Sequence, residues 1–544
     1  MRKLAFLVAS VLPASAFAVP PLPAPPPPKL VVAISVDQLS ADLFDEYRGQ
    51  FTGGLARLAR GAVFRNGYQA QNATETCPGH STLLTGARPA RTGIIANGWF
   101  DLTQTRSDKY VYCAEDERVA GTSSSEYRVS PVHLRTLTLG EHMDARDPAT
   151  RVVAVAGKDR SAVMMTGQRP DQRWYWDGKK KYVSDLKGAP VPASVTAANQ
   201  AVAALIAAPA EPLGPPPYCA AKSRPVVVGN GALTVGDGRF ARAAGDAKAF
   251  RNSPAFDGMT LALAARLIDE MKLGKGSATD LIAISLAATD YVGHGLGTGG
   301  QEMCLQLLSL DRDLGDFLAL LDSRGIDYAV ALSADHGGDD IPERLRLMGV
   351  PEAARSDPAL EPSAMGKAIA TQLGLSGPVL LGASANGDVW FDAALKPADR
   401  ARAQSAALAA SRAHPQVEAV FTKEQVARVP SPTSSPDRWT LIERARASFA
   451  ADRSGDLIVM LKPHITPIAR PSAGYVATHG SPWDYDRRVP ILFWRAGMTP
   501  AVREEAVETA DIMPTLAAML GLAVDPATID GECLTVEGAS CPSR

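Results

Sequence analysis

Five continuous apolar runs are spaced along the chain, and three of them have an aspartate at or near their C-terminal end. The runs cover residues 29–38, 151–157, 280–290, 328–338 and 488–494. None of them alternates apolar with polar positions, a pattern typical of strands that are buried on both faces. Such strands occur mainly in sheets whose two faces are covered by helices. The runs therefore predict the interior strands of an α/β sheet.

Helical periodicity appears between and after these runs. The clearest examples are Leu261–Met271, Met303–Leu321 and Asp511–Leu522. Alternation of strand and helix predicts an α/β fold with an open, mostly parallel sheet flanked by helices. Residues about 170–255 and about 345–475 interrupt the alternation, and we interpret them as insertions or a cap on the core.

Length and composition allow a large core. The chain has 544 residues, 46% of them hydrophobic, which by length alone suffices for two or three domains. We predict one main domain over residues 29–525, containing both insertions, and a C-terminal tail over residues 526–544. The formal net charge of −2 gives no field that favours nucleic acid or an anionic membrane surface.

The N-terminus carries the pattern of a secretory signal peptide over residues 1–18. Arg2 and Lys3 precede an apolar stretch, and Ala16 to Ala18 form a small-x-small cleavage site. Residues 19–28 are a proline-rich spacer. No cysteine follows the cleavage site closely, so no lipid anchor is expected there. We therefore predict an exported protein, periplasmic or extracellular, without a membrane anchor; the sequence leaves its oligomeric state open, a monomer included.

Export makes disulfides chemically permissible for the six cysteines. Cys533 and Cys541 flank a short polar loop, and we predict that they pair. Cys113 with Cys219 is a second pairing that the spacing allows but does not fix. Cys77 is open to either a disulfide or simple burial. No CxxC spacing of a structural zinc site occurs in the sequence.

Metal-ligand side chains cluster near the carboxyl ends of the predicted strands, where ligands of such sheets bind. They are Asp37, Asp290, His294, Asp335, His336 and His479. A single aspartate at a strand end is more often a helix cap than a ligand. The aspartate–histidine pairs differ because adjacent glycines let the backbone turn both side chains towards one point. Mixed aspartate and histidine ligands suit zinc, or manganese less strongly. Six such ligands exceed one tetrahedral zinc and predict two metal ions per chain that share a bridging oxygen.

The remaining histidines are not paired with an aspartate and adjacent glycines in this way. His133, His142, His414 and His464 are interpreted as structural or surface groups. His80 is predicted to lie in the first turn of a helix that begins after Pro78, as a structural group beside the site. It belongs to the segment TETCPGHSTLLTG, residues 74–86, which is rich in nucleophilic side chains.

Eight motifs occur together in a recognisable order. They are VDQ at 36–38, TETCPGHSTLLTGARPARTGI at 74–94, NGWF at 97–100, GKDRSA at 157–162, TDYVGHGLG at 289–297, SADHGG at 333–338, THGSPWDYD at 478–486 and DIMPTLA at 511–517. Each motif is weak alone, but the combination resembles the alkaline phosphatase superfamily. The resemblance is to its secreted phosphatases with a threonine nucleophile, the PafA and PhoK type.

The resemblance implies a role for each matching residue. Asp37, Thr76, Asp335 and His336 would hold one zinc, and Asp290, His294 and His479 would hold the other. Thr76 would be the nucleophile between them. Asn97, Lys158 and Arg160 would bind the phosphoryl oxygens, where charge resides during phosphoryl transfer. Without the resemblance, Asn97 before Gly98 would indicate only a turn. Lys158 and Arg160 would indicate only a solvent-exposed charged face.

Substrate class depends on the register of the nucleophile loop. Sulfatases of this fold use a cysteine two residues before a proline, and that position is Thr76 here, with Cys77 one residue too late. Extra cations favour a dianionic monoester over a diester, so Lys158 and Arg160 predict a phosphate monoesterase with broad leaving-group tolerance. A phosphodiesterase or nucleotide pyrophosphatase is the alternative. Export argues against a phosphomutase, whose role lies in central metabolism. A threonine at the nucleophile position argues against a non-catalytic zinc-binding protein.

Overall fold

A computed structural model describes residues 26–229, 231, 233–236 and 238–542. The predicted signal peptide and most of the spacer lie outside the described residues. The strands are β1 Leu30–Val36, β2 Ala62–Tyr68, β3 Gly98–Phe100, β4 Tyr110–Tyr112, β5 Val152–Ala156, β6 Gln172–Trp176, β7 Tyr182–Val183, β8 Val226–Val228, β9 Leu233–Val235, β10 Asp280–Leu286, β11 Tyr328–Ser333, β12 Ala354–Arg355, β13 Leu380–Leu381, β14 Gly387–Phe391, β15 Val417–Thr422, β16 Leu457–Leu461, β17 Ile465–Thr466, β18 Arg488–Arg495 and β19 Ala501–Glu508.

The α-helices lie between and after these strands. They are α1 Ala41–Tyr47, α2 Gly54–Leu58, α3 Thr76–Leu83, α4 Pro89–Thr92, α5 Leu139–Arg146, α6 Asp159–Thr166, α7 Ala193–Ala207, α8 Pro217–Ala220, α9 Ala247–Arg251, α10 Pro254–Met271, α11 Ala288–Leu296, α12 Gln301–Ser323, α13 Pro342–Leu347, α14 Pro362–Leu373, α15 Pro397–Ala413, α16 Lys423–Ala427, α17 Leu441–Ser448, α18 Asp484–Arg487 and α19 Ile512–Met519.

A nine-stranded sheet forms the centre of the molecule, in the order β19-β2-β18-β11-β1-β10-β5-β6-β7. Five neighbouring strands, from β11 to β6, are mutually parallel. Strand β18 is antiparallel to both of its neighbours, and β7 is antiparallel to β6. The predicted α/β fold with a mostly parallel sheet is confirmed.

Both faces of the central strands are buried, which explains why their sequences do not alternate. Along β1, Leu30, Val32, Ile34 and Val36 join one apolar cluster, together with side chains of α10 and α12. Val31 and Ala33 join a second cluster on the opposite face, together with side chains of α3, α5 and α19. Successive side chains of a strand point to opposite faces, so a sheet covered on both faces favours apolar residues at successive positions.

The two interrupting segments differ in structure. The segment predicted as an insertion at about 170–255 begins with β6 and β7, which extend the central sheet, so its first part belongs to the core. Within residues 345–475, strands β13, β14, β16 and β15 form a separate four-stranded sheet. That sheet has its own apolar cluster with α14 and α15. The boundary of a distinct cap stays a prediction.

Candidate active site and metal centre

Strand direction brings the predicted site residues to one edge of the sheet. Asp37 directly follows β1, Asp335 follows β11, and Lys158 follows β5 at their carboxyl ends. Asp290 lies in the first turn of α11, just beyond β10. His479 instead precedes β18, and because β18 is antiparallel to β11, its beginning lies at the same edge.

One group of donor atoms contains Asp37, His80 and Asp335, all fully buried. The Asp335 Oδ1 accepts a hydrogen bond of 3.1 Å from the backbone N–H of Gln38, which has a left-handed φ of 65°. His80 lies between the two carboxylates, with Nε2 3.4 Å from Asp37 Oδ1 and Nδ1 3.3 Å from Asp335 Oδ2. His80 is therefore placed among the metal-ligand atoms, where the sequence prediction had left it outside.

A second group contains Asp290, His336 and His479. The Asp290 Oδ1 lies 3.2 Å from His294 Nε2 and 3.4 Å from His479 Nε2. The His336 ring stacks on His479 at 3.5 Å between centroids, while its Nε2 lies 3.2 Å from Asp335 Oδ2. His336 thus lies at the boundary of the two groups. The predicted ligands Asp37, Asp290, His294, Asp335, His336 and His479 are all brought together at this edge.

The histidine rings are oriented as metal ligands require. Each Nδ1 lies near a backbone carbonyl oxygen: His294 at 2.8 Å from Ala477, His336 at 2.9 Å from Gly337, and His479 at 2.7 Å from Thr74. A carbonyl only accepts, so Nδ1 carries the proton and Nε2 keeps its lone pair. Burial, together with His336, lowers the pKa of His479 to about 4, which keeps this imidazole neutral.

Several buried atoms at this edge have no hydrogen-bond partner among the described residues. They are Asp290 Oδ1, Asp335 Oδ2, His336 Nε2 and His80 Nε2. Unpaired buried polar atoms are costly, and carboxylate oxygens facing imidazole lone pairs repel unless a cation lies between them. The donor set therefore fits divalent metal ions, with oxygen and nitrogen ligands of the kind that zinc accepts.

Thr76 is the first residue of α3 and is buried beside both groups. The expectation that this helix begins after Pro78, with His80 in its first turn, is wrong: the helix begins at Thr76, and His80 lies in its last turn. A proline is tolerated in the first turn because the N–H groups there have no intrahelical acceptor. The Thr76 Oγ1 lies 3.5 Å from Lys158 Nζ and 3.3 Å from Arg160 Nη2. The three predicted residues Thr76, Lys158 and Arg160 therefore converge.

Lys158 is buried between the carboxylates of the two groups. Its Nζ lies 2.6 Å from Asp290 Oδ2 and 3.0 Å from Asp37 Oδ2. Burial alone would lower the pKa of Lys158, but Asp290 and Asp37 together outweigh that effect and raise it. The ammonium also lies 5.2 Å from the ring centroid of Tyr291. A fixed positive charge is thus held next to the threonine hydroxyl.

Asn97 reaches the site from a loop that precedes the short β3–β4 hairpin. Its side-chain Oδ1 accepts a 2.8 Å hydrogen bond from the backbone N–H of Cys77, the residue after Thr76. The Asn97 amide therefore lies at the beginning of α3. All the residues predicted to bind the phosphoryl oxygens surround Thr76.

Two tyrosines and Asp159 support Arg160. The Tyr112 hydroxyl donates to Asp159 Oδ1 at 2.8 Å, and Tyr127 donates to Asp159 Oδ2 at 2.7 Å. Arg160 Nη1 in turn donates to the Tyr112 oxygen at 3.4 Å. These tyrosines carry no motif signal in the sequence, because only the fold brings them to α6.

We expect Tyr112→Phe to lower kcat/KM for a phosphate monoester by about tenfold, since it removes a hydrogen bond to a charged group. The guanidinium would then keep its charge but lose one of its supports. Steady-state kinetics with p-nitrophenyl phosphate measures the loss. Tyr110→Phe on the same strand is the matched control, because the Tyr110 hydroxyl donates to no described residue. Equal kinetics for the two variants would contradict a role of Tyr112 in holding Arg160.

The other histidines lie outside both metal groups. His133, His414 and His464 each face one carboxylate, of Glu117, Asp357 and Asp339 respectively. His142 is half-buried on α5. None of these four is among the metal-ligand groups of the described residues, in agreement with the sequence interpretation.

All six cysteines are paired in the structure. The predicted Cys533–Cys541 disulfide is confirmed. The pairing of Cys113 with Cys219 is wrong: Cys113 bonds to Cys77, and Cys219 bonds to Cys304. Spacing could not show this, because Cys304 on α12 and Cys219 on α8 meet only after the helices pack.

The fold and this donor set together define a class of protein. A sequence model of the type I phosphodiesterase / nucleotide pyrophosphatase family matches residues 31–482. The chain belongs to this family, within the alkaline phosphatase superfamily. The structure of mouse ectonucleotide pyrophosphatase / phosphodiesterase 5 matches with a TM-score of 0.54 at 13% identity, over 92% of this chain and 97% of that one. This second likeness shows the fold alone.

Bacterial alkaline phosphatases are more similar. The chain is 55% identical over 511 residues to alkaline phosphatase PhoK of a Sphingomonas species, covering 93% of this chain and 91% of that protein. It is 46% identical over 522 residues to alkaline phosphatase PhoD of Zymomonas mobilis, covering 95% and 90%. The crystal structure of wild-type alkaline phosphatase PafA matches with a TM-score of 0.81 at 25% identity, over 95% of this chain and 100% of that one.

The described part of the chain holds no helix with both the length and the apolarity to cross a bilayer.

Proposed function

We propose that the protein is an exported, zinc-dependent alkaline phosphatase that hydrolyses phosphate monoesters through a phosphothreonine at Thr76. The observation that carries the proposal is the convergence of Thr76 Oγ1 with Lys158 and Arg160 beside two groups of metal-ligand atoms. The similarity to relatives that are named alkaline phosphatases supports the activity. The pattern of residues 1–18 supports export.

Two Zn²⁺ ions would be held by the predicted ligands, Asp37, Thr76, Asp335 and His336 for one and Asp290, His294 and His479 for the other. When bound, zinc lowers the pKa of a coordinated hydroxyl and stabilises negative charge on oxygen. The protein contributes the position of the nucleophile, because α3 fixes the Thr76 backbone at the sheet edge. The helix N-terminus also favours an anion at this point.

The reaction would proceed by two displacements. In the first, Thr76 Oγ1 gives up its proton and bonds to phosphorus, the ester P–O bond breaks, and the leaving oxygen takes a proton. In the second, a water oxygen gives up a proton and bonds to phosphorus, the P–O bond to Thr76 breaks, Thr76 Oγ1 takes a proton, and phosphate leaves. Lys158 and Arg160 would neutralise charge on the equatorial oxygens in both steps, and Asn97 would donate a hydrogen bond to one of them. Two in-line displacements imply retention of configuration at phosphorus.

Charge favours monoesters over diesters at this site. A monoester presents two negative charges and three non-bridging oxygens, whereas a diester presents one charge and replaces one oxygen by a substituent. Lys158 and Arg160 add two cations within 3.5 Å of the nucleophile oxygen. A phosphodiesterase activity is the second candidate, because the matching family model is described by that reaction.

Comparison of two substrates of the same leaving group tests the proposal. We expect kcat/KM for p-nitrophenyl phosphate to exceed that for bis-p-nitrophenyl phosphate by about 100-fold or more, since one well-placed charged contact contributes that much. The assay uses the zinc-loaded protein and measures nitrophenolate release. A preference for the diester would establish the second candidate instead, and no release from either would refute both.

Removal of the metal ions should abolish turnover. Dialysis against a chelator is expected to lower kcat by about 100-fold or more, because Thr76 then loses the group that activates its hydroxyl. Added Zn²⁺ should restore activity, with a stoichiometry of two ions per chain by elemental analysis. Mg²⁺ serves as the control ion, because it prefers oxygen ligands to the imidazoles found here. Full activity of the metal-free protein would contradict the mechanism.

A further inference from the structure

We propose that the Cys77–Cys113 disulfide is a positioning device that holds the Asn97 amide in its phosphate-binding orientation. The inference rests on the proposed role of Asn97 in binding a phosphoryl oxygen. The reaction sequence gives no task to this disulfide, although one of its cysteines directly follows the nucleophile Thr76. Its position next to Asn97 supplies that task.

Three short hydrogen bonds fix Asn97. Its side-chain Oδ1 accepts from the Cys77 N–H at 2.8 Å, and its backbone carbonyl accepts from the Cys113 N–H at 3.0 Å. Its own backbone N–H donates to Glu75 Oε2 at 2.6 Å. Two of these three partners are the residues that the disulfide joins. The disulfide therefore joins the residue that binds the Asn97 side-chain oxygen to the residue that binds the Asn97 backbone carbonyl.

The orientation of the amide follows from these contacts. A backbone N–H can only donate, so the atom that faces Cys77 is the oxygen of the Asn97 side chain. The Asn97 Nδ2 is then the free end, and among the described residues it donates to no other group. This leaves both of its N–H groups available for an oxygen of a bound phosphoryl group at the beginning of α3, where Thr76 lies.

The hairpin that follows Asn97 is short, and the disulfide adds a covalent restraint to it. Strands β3 and β4 contain three residues each, and they pair only with each other. A two-stranded hairpin of this length is marginal on its own. Asn97 precedes β3, and Cys113 follows β4, so the disulfide fastens the open end of the hairpin directly to α3. Both cysteines are fully buried beside Trp99 and Val111.

A double-mutant cycle tests the coupling. The variants are Cys77→Ala with Cys113→Ala, Asn97→Ala, and the triple substitution, each loaded with zinc and assayed with p-nitrophenyl phosphate. We expect Asn97→Ala to lower kcat/KM by roughly 100-fold, as for loss of one oxyanion donor. Removal of the disulfide should lower it by about tenfold, because displacement of a contact by a fraction of an ångström is costly. In the Asn97→Ala background, the same removal should cost less than about twofold.

Two matched controls come from the chain itself. Cys219→Ala with Cys304→Ala, and Cys533→Ala with Cys541→Ala, each remove one other disulfide and should leave kcat/KM within about twofold of the parent. Thermal unfolding of every variant separates lost folding from lost positioning. Inhibition by inorganic phosphate gives a second readout: its Ki should rise in Asn97→Ala and in the variant without the Cys77–Cys113 disulfide, and stay unchanged in the two control variants.

The outcomes distinguish the inference from the function on which it rests. An unchanged rate in Asn97→Ala would refute the proposed role of Asn97. A large effect of Asn97→Ala without an effect of the Cys77–Cys113 removal would refute the positioning inference alone. An equal loss from disulfide removal with and without Asn97 would also refute it, since the disulfide would then act by a route that does not involve Asn97.

Discussion

Replacing Thr76 by alanine is expected to lower kcat for p-nitrophenyl phosphate by about 10³-fold or more, as removal of a covalent nucleophile does elsewhere. The buried hydroxyl lies within 3.5 Å of Lys158 Nζ and of Arg160 Nη2, and no other side chain of α3 occupies that place. Zinc content should remain near that of the parent, because the six aspartate and histidine ligands are intact. Phosphate release and elemental analysis measure the two quantities.

The control for this variant is Thr85→Ala, which removes a hydroxyl just beyond α3. That hydroxyl donates to the Ser81 carbonyl and faces neither metal group, so most of the activity should remain. Acid quenching of the parent during turnover should trap phosphate on Thr76, visible by peptide mass. Inversion at phosphorus with a chiral phosphate substrate would exclude the covalent route altogether.

Replacing Lys158 and Arg160 together by alanine is expected to cost much more with a monoester than with a diester. For p-nitrophenyl phosphate the loss in kcat/KM should reach about 10³-fold, since each of two charged donors is removed. For bis-p-nitrophenyl phosphate it should stay near tenfold, because the diester has one charge fewer to neutralise. The ratio of the two losses is the measured quantity.

Lys180→Ala with Lys181→Ala is the matched control, since it removes the same net charge from an exposed turn between β6 and β7. Both substrates should react with this control as with the parent. Equal losses of the two substrates in the Lys158 and Arg160 variant would show that these cations serve the fold or the metal groups. The charge-based preference for monoesters would then lose its support.

Much of the site could be predicted because its chemistry is local in the sequence. Asp37 and Asp335 each end an apolar run, and Asp290 with His294 are one helical turn apart. A strand that ends in a ligand places it at the carboxyl edge wherever the strand lies in a parallel sheet. The prediction of an α/β fold and of five clustered metal ligands, all but His479, needed only this rule and the residue types.

Other parts depend on which segments meet in space. The apolar run at 488–494 has the composition of any buried strand, and composition does not reveal direction. Only the assembled sheet shows that β18 is antiparallel to β11. That direction is why His479, which lies before its strand rather than after it, arrives at the same edge as Asp335.

The sequence by itself determined which chemistry is present: an interior α/β sheet, aspartate and histidine ligands, a threonine beside a proline, and two cations after a strand. The tertiary structure alone decided the partners. It placed His80 between two carboxylates, paired Cys77 with Cys113, and brought Tyr112 to Arg160. The reason is physical: side-chain type and local periodicity are properties of short segments, whereas contact between distant segments follows from how the sheet and helices pack.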